Sequence, residues 1–412
     1  MTTFLAAAAD SLSDLVASDV RRRCWDRFVA VGLPSTADEV WRYAPLASFS
    51  LDRYAPSAKP GPGRASALAE SLAARGALVV RLVDGFLEES GELPGVSVGL
   101  SESPDSFGGL ARDERYAADA FALLNGALAP ASVTIDVAPG VTVDGPIVIL
   151  NRVNSSAAFP RLQVSLGRSA SATIVECLEG GTDALVVPVS EYRVGADAEL
   201  RVVTYQRLEP SAWHVGRTLA LLERDARLRQ AVVGIGAHYD RSRNDAELFE
   251  PGASNELRTT FLGSGEQVHD FRTHQLHLAP HTESTLLAKG AVADYSRSIY
   301  TGLIEIEKGA KRTDARQTNR NLLLSPNAHA DSVPNLEIRE NDVVCAHASS
   351  VGPLDEIERW YLESRGVARA EAERLMIGGF YNEMMVALPP QVASLVEADV
   401  AAALARVEVV TP

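Results

Sequence analysis

Cysteine is scarce in this chain. Its three thiols in 412 residues, Cys24, Cys177 and Cys345, stand too far apart for a disulfide framework, which excludes a stapled secreted scaffold. Positive charge is in deficit as well: 39 Lys and Arg against 54 Asp and Glu give a formal charge of −15. A partner held through its phosphate backbone needs the opposite balance, so nucleic acid is excluded as a partner. Long apolar runs are missing because charge or proline breaks each one, and no membrane span is expected. The opening MTTFLAAAADSLSDL lacks a basic leading region and carries Asp10 and Asp14 inside its apolar stretch. It is expected to be neither a signal nor a transit peptide, which points to the cytoplasm. Walker A loop, dinucleotide fingerprint and nucleophile–base set are all missing, so none of these three chemistries is expected of the chain.

What the chain has is a beat. Residues 1–75 read as helical, with Leu12, Leu15, Val16 and Val20 on one stripe, and include the Pro/Gly-rich linker Pro56 to Arg64. Gly76 to Ser90 reads as a hairpin turning at Asp84-Gly85, and Asp113 to Leu128 as a lead-in helix burying Tyr116, Ala120, Leu123 and Leu124. Together these form a region 76–130. From 131 to 350, apolar–polar alternation takes over. Its turns recur at Gly140, Gly167, Gly195, Glu223, Gly252, His281 and Gly309, 27 to 29 residues apart, while Ala170, Ala198 and Ala226 keep a strict 28. Such a period marks a solenoid whose repeats stack, and β-branched alternation makes each repeat a coil of strands. The fold class expected is mainly β, a parallel β-helix between helical ends. Beyond Pro353 the period turns helical, over 351–412. Leu354, Ile357, Tyr361 and Leu362 share a face, and Gly366 caps the first helix. Arg369 to Leu388 and Gln391 to Val407 follow as two more helices.

Between strands and helices lie Cys345 and His347. Two residues apart on a strand, they share a face, and a thiol with an imidazole makes half of a soft-metal site. His269, His274, His277 and His281 also cluster in sequence. On strands, however, His274 and His277 face opposite ways, which favours core and surface roles over a metal site.

Four stretches carry a family resemblance: GLPSTADEVWRYAPL near the start, LLNGALAPASVTIDVAPGVTVDGPI at the entry to the alternating region, and TDARQTNRNLLLSPNAHADSVPNLEI with DVVCAHASSVGPLDEIERWYLESRG at its end. They resemble the SufB/SufD family of iron–sulfur cluster assembly scaffolds. Ala328 stands where SufB-like chains carry a cysteine, and Cys345-Ala346-His347-Ala348 matches the C-S-H-G pattern of SufD-like ones, with Ala348 in place of the glycine. The resemblance implies a right-handed parallel β-helix that pairs with a SufB-like paralogue and docks a SufC-like ABC ATPase through its C-terminal helices. It implies no tightly bound cofactor. An Fe–S cluster would form transiently at the SufB interface, with His347 as the ligand and Cys345 as a possible assistant whose plainer role is a small buried hydrophobe. Tyr361, Arg365, Leu375, Met376, Phe380 and Met384 would meet the ATPase, although methionines in a helix are first of all core residues. Two other readings are a homo-oligomeric scaffold of the same family, with a homodimer in isolation, and a carbohydrate-active β-helix enzyme. The second would need paired carboxylates or a calcium set on one coil face, and usually export, whereas neither a signal peptide nor a repeated Asp ladder is expected here.

Overall fold

An alternating strand buries its inner face only if another layer lies across from it, and a coil of 27–29 residues supplies that layer while stacking on the next coil. The computed structural model is accordingly mainly β, a parallel β-solenoid of about eight turns with helices at both ends. It describes residues 3–5, 7–8, 19–56, 59–62, 66–101 and 119–407. The expected stripe of Leu12, Leu15 and Val16, parts of the linker, and Tyr116 with the first half of the lead-in helix lie outside the described residues.

Two long sheets run the length of the solenoid. The first passes from Phe86–Ser90 and Leu78–Val83 through Thr142–Val153 to Val344–Gly352. The second passes from Val96–Ser101 and Ser132–Val137 to His329–Ile338. Inner faces meet in an apolar core that includes Ile135, Val164, Ile174, Tyr192, Leu200 and Leu222. Burying an aliphatic side chain of this size contributes about 1.5–3 kcal/mol.

The corners show how the beat is built. In successive coils the left-handed residue is Gly140, Ser169, Asp197, Asp225, Gly252 and His281. The amide of each donates to a carbonyl in the corner of the following coil, as Asp197 does to Arg224 and His281 to Lys311. The sequence marks Gly167, Gly195 and Glu223 as the corner, two residues too early. Glycine is needed at Gly167 and Gly195 for another reason: a Cβ there would lie 2.6 Å from the Pro139 nitrogen or the Leu166 carbonyl oxygen of the coil below. Asp and Ser tolerate the left-handed turn itself. Ala170, Ala198 and Ala226 do fall inside the core.

The hairpin belongs to the solenoid and not to a separate region. Asp84 and Gly85 form its turn with φ of 52° and 87°. Leu78–Val83 then pairs parallel with Thr142–Val153, so the boundary expected at 131 falls within the sheets. Helix α1 (Asp19–Val31) sends Arg21 to the carbonyls of Ala127, Ala129 and Pro130. These close the C-terminal end of α3 (Ala120–Leu128), while α2 (Ala67–Ala73) lies against the first sheet. Asp119 caps α3 through the amides of Phe121 and Ala122. Asn125 of α3 donates to the Pro160 and Val187 carbonyls and accepts from Arg161, whose other arm holds buried Glu191 at 2.8 Å. A polar bridge thus fastens the N-terminal helices to the outer face of the second sheet. At the other end α4 (Glu356–Ser364), α5 (Arg369–Met385) and α6 (Pro390–Leu404) follow the last strand. Among the described residues no helix is long and apolar enough to cross a membrane.

Candidate functional site

Both sheets stop together at the C-terminal end, in Val344–Gly352 and His329–Ile338, and each of these strands is paired on one side only. In a parallel ladder, alternate residues turn their backbone groups toward one neighbour or the other. Val344 donates inward to the Thr313 carbonyl, so the amides of Cys345, His347, Ser349 and Val351 point to the free edge. His329 donates inward to Ser296. The free-edge positions of that strand therefore include Pro334, which has no N–H to offer. Proline at such a position blunts an edge against further pairing. The two edges are unequal: Val344–Gly352 offers a continuous row, and His329–Ile338 is broken at its middle.

The same register places the side chains. Cys345 lies over Ala315, His347 over Gln317, Ser349 over Asn319 and Val351 over Asn321, and all four lower partners are buried. Cys345 and His347 therefore share the inner face, as period two requires, at the rim of the solenoid's open end. Cys345 is half-buried against Ile304, Ile306, Ala310 and Ala315. Burial, then Asp314, pushes its thiol pKa up, so it stays protonated near neutrality. His347 is exposed. Beneath it the Gln317 amide reaches across the interior toward Gly302, where an added Cβ would lie 2.5 Å from Nε2, and both its polar atoms lack partners among the described residues. Ser332 accepts hydrogen bonds at 2.8 Å from Asn319 and from Ser349, tying the two sheets together at the mouth. Leu336, Ile338, Val344 and Val351 leave the rest of this end apolar and exposed. Cys345 and His347 give two donors on one face. No group of three or more His, Cys, Asp or Glu that could hold a metal ion exists among the described residues.

The histidine cluster of the sequence is dispersed. His269 faces inward and shares Asp240 with His214, at 3.1 and 2.6 Å. Burial alone would raise the Asp240 pKa, but these hydrogen bonds hold the carboxyl well below the usual carboxylate range. His274 faces outward onto Glu305 at 2.9 Å, and His281 occupies a left-handed corner. His277 is buried between Thr282 and Ser284, and burial lowers its pKa to about 4. In the unfolded chain it takes a proton near pH 6.5. Its contribution is therefore fully present above that pH and is lost as pH falls toward 4, by about 1.4 kcal/mol per pH unit and about 3 kcal/mol in all. Urea unfolding followed from pH 7 to 4 is expected to show this slope, flattened in His277→Gln. An unchanged slope in the variant would show that other groups dominate acid sensitivity.

The helical tail divides into a clamped part and a free part. Tyr381 of α5 donates to the Phe261 carbonyl at 2.6 Å, and Lys289 holds Glu383 at 2.6 Å. Asp399 of α6 takes Tyr205 and Arg207 from the first sheet. Buried Glu373 gathers Arg359 of α4 and Arg369 of α5. Helix α4 is capped by Asp355 and buries none of its own residues. Ile357, Trp360 and Tyr361, at helical spacing, turn outward with Trp360 67% exposed, while Leu354 is buried just before the helix. Of the expected docking residues, Tyr361, Arg365 and Leu375 are exposed. Met376 and Phe380 are half-buried beside a groove of about 900 Å³ between α5 and the last strands. Met384 is 3% exposed and packs into the chain's own core, so it has no place on a docking face. Ile357 and Trp360 are exposed residues of α4 that the expected docking set leaves out. Their spacing with Tyr361 was the available signal.

Residues 148–380 match the family described as SUF system FeS cluster assembly, SufBD core domain. The chain is similar to the iron–sulfur cluster assembly protein SufD of Bacillus subtilis, 32% identical over 67% of this chain and 66% of that protein, just under two thirds of its length. It is also similar to SufD of Escherichia coli, 28% identical over 88% and 87%. An iron–sulfur cluster assembly SufBD family protein of Mycobacterium tuberculosis is 30% identical over 87% of both chains.

Proposed function

This chain belongs to the SufBD family of iron–sulfur cluster assembly proteins, on its SufD side, and from that premise we propose that it is the non-catalytic half of a paired scaffold. The observation that carries the reading is the unpaired edge Val344–Gly352 with Cys345 and His347 on its inner face. A paralogous SufB-like strand added there would extend the first sheet and bring its own donors beside His347. The cluster is cargo. Among this chain's donors the imidazole is the one open to it, being exposed where Cys345 is half-buried and burial disfavours its thiolate. In the absence of the paralogue, a second copy of this chain is the natural occupant of the same edge.

A SufC-like ATPase would dock on the free face of α4 and the adjoining groove. Force on α4 passes through Glu373 to α5, and through the Glu383–Lys289 pair to a strand two places from the free edge. ATP-driven movement of the docked subunit would then shift the junction at His347 between open and closed populations.

The test is co-expression with both partners, followed by iron and acid-labile sulfide analysis of the purified complex. His347→Ala should leave the complex assembled and lower its iron content roughly tenfold or more, as expected for a lost ligand. Cys345→Ser should keep most of it. Full iron and sulfide in the His347→Ala complex would remove that residue from the site.

A further inference from the structure

The outer face of the second sheet carries a column of arginines that the scaffold reading leaves unused. Register stacks Arg217 against Arg243 and Arg243 against Arg272, one guanidinium per coil. Like charges directly opposite one another repel. The first two are compensated, because Asp245 takes Arg217 at 3.2 Å and Arg243 at 2.9 Å. The neighbouring Asp270 spends one oxygen on Arg241 at 2.6 Å and on the Tyr239 hydroxyl at 2.8 Å. Arg272, third in the column, has to share Asp270 with Arg241. Its Nε lies 3.2 Å from the other Asp270 oxygen without hydrogen-bond alignment, and its Nη2 meets no acceptor among the described residues. The residue is nonetheless only 6% exposed. Burial, assisted by Arg241 and Arg243 and opposed by Asp270, pushes its pKa down.

Beside it opens a cavity of about 470 Å³. Arg243, Arg272 and His274 line one side, and Thr301 and Asn335 from the next coils line another. The outer wall is the segment from Glu39 to Tyr43, and that wall is anchored. Arg241 lies 3.7 Å from the Trp41 ring centroid and donates to the Val40 carbonyl, and Arg297 lies 5.5 Å from the Tyr43 ring centroid. Arg42 stands exposed at the rim. Of the carboxylates lining the cavity, Asp245 is spent on two arginines and Glu337 on Arg339, while Glu39 stays at the exposed rim. Arg241 and Arg272 share the single carboxylate of Asp270, and a guanidinium with unbonded donors beside a polar cavity of ligand size matches a phosphate or carboxylate group.

We infer that this cavity binds the oxyanion group of a small molecule, with Arg272 as the principal donor and Arg42 closing over it. The inference does not depend on the paired-scaffold reading, because the site lies on this chain alone. The experiment is thermal unfolding of the full chain titrated with inorganic phosphate, with acetate and with chloride at matched ionic strength. A saturable rise in Tm with phosphate or acetate, and not with chloride, is expected. The more effective of the two identifies the ligand as phosphate-bearing or carboxylate-bearing. Arg272→Gln should weaken the response at least about tenfold. No saturable response to either anion, or an equal one in Arg272→Gln, overturns the site. Should that variant fail to fold, Arg42→Ala at the exposed rim serves in its place. A weakened anion response supports the site, and an unchanged one overturns it.

Discussion

Val351→Pro is expected to release the SufB-like partner from a chain that stays folded. The Val351 amide points to the free edge and its side chain is already exposed, so proline removes no bond from the chain's own ladder. What it removes is a donor that an added strand needs, and its ring obstructs that strand's approach. Losing such a bond with its neighbour left unsatisfied costs roughly 2–3 kcal/mol, or about 30- to 150-fold in affinity. Ala348→Pro is the informative contrast. By the same alternation its amide donates inward, so that substitution should lower Tm as well. Co-elution on size exclusion and titration calorimetry would check the pair. Undiminished binding by a folded Val351→Pro chain would show that pairing does not use this edge.

The second large effect is expected on α4. Trp360→Ala should weaken capture of the SufC-like ATPase by about 2 kcal/mol or more, roughly 30-fold, as removal of a central aromatic anchor does. Ile357→Ala should weaken it in the same direction. Neither should move Tm noticeably, because α4 buries no residue of its own. Met384→Ala behaves oppositely: it empties a core position and should cost about 2–5 kcal/mol of stability. Binding curves together with urea unfolding separate the two classes. Wild-type affinity in Trp360→Ala would place the ATPase elsewhere.

Much of this was legible in the chain before folding. Period two put Cys345 and His347 on one face and His274 and His277 on opposite faces, and the register agrees. The corners were mistaken because glycine answers two different needs in this solenoid. At Gly140 and Gly252 it takes the left-handed turn. At Gly167 and Gly195 it lets one coil approach the next, while Ser169 and Asp197 take the turn. Composition cannot tell these needs apart. Met384 was misplaced for a related reason. A methionine on a helix carries no mark of which side faces the sheet, and Tyr381 and Glu383 decide that by bonding to Phe261 and Lys289.

The sequence alone determined the stacked coil, since alternating β-branched residues with turns every 27–29 positions have no other way to bury their inner faces. It also determined the switch to helices after Pro353 and the pairing of thiol with imidazole. Only the tertiary structure decided which edge remains open, that Pro334 blunts its neighbour, and that α4 turns its apolar stripe to solvent. The register between coils, a property of the stack and not of any one repeat, likewise left Arg272 to share Asp270 with Arg241. Local patterns specify which residues share a face, whereas the number of neighbours a face finds depends on everything folded around it.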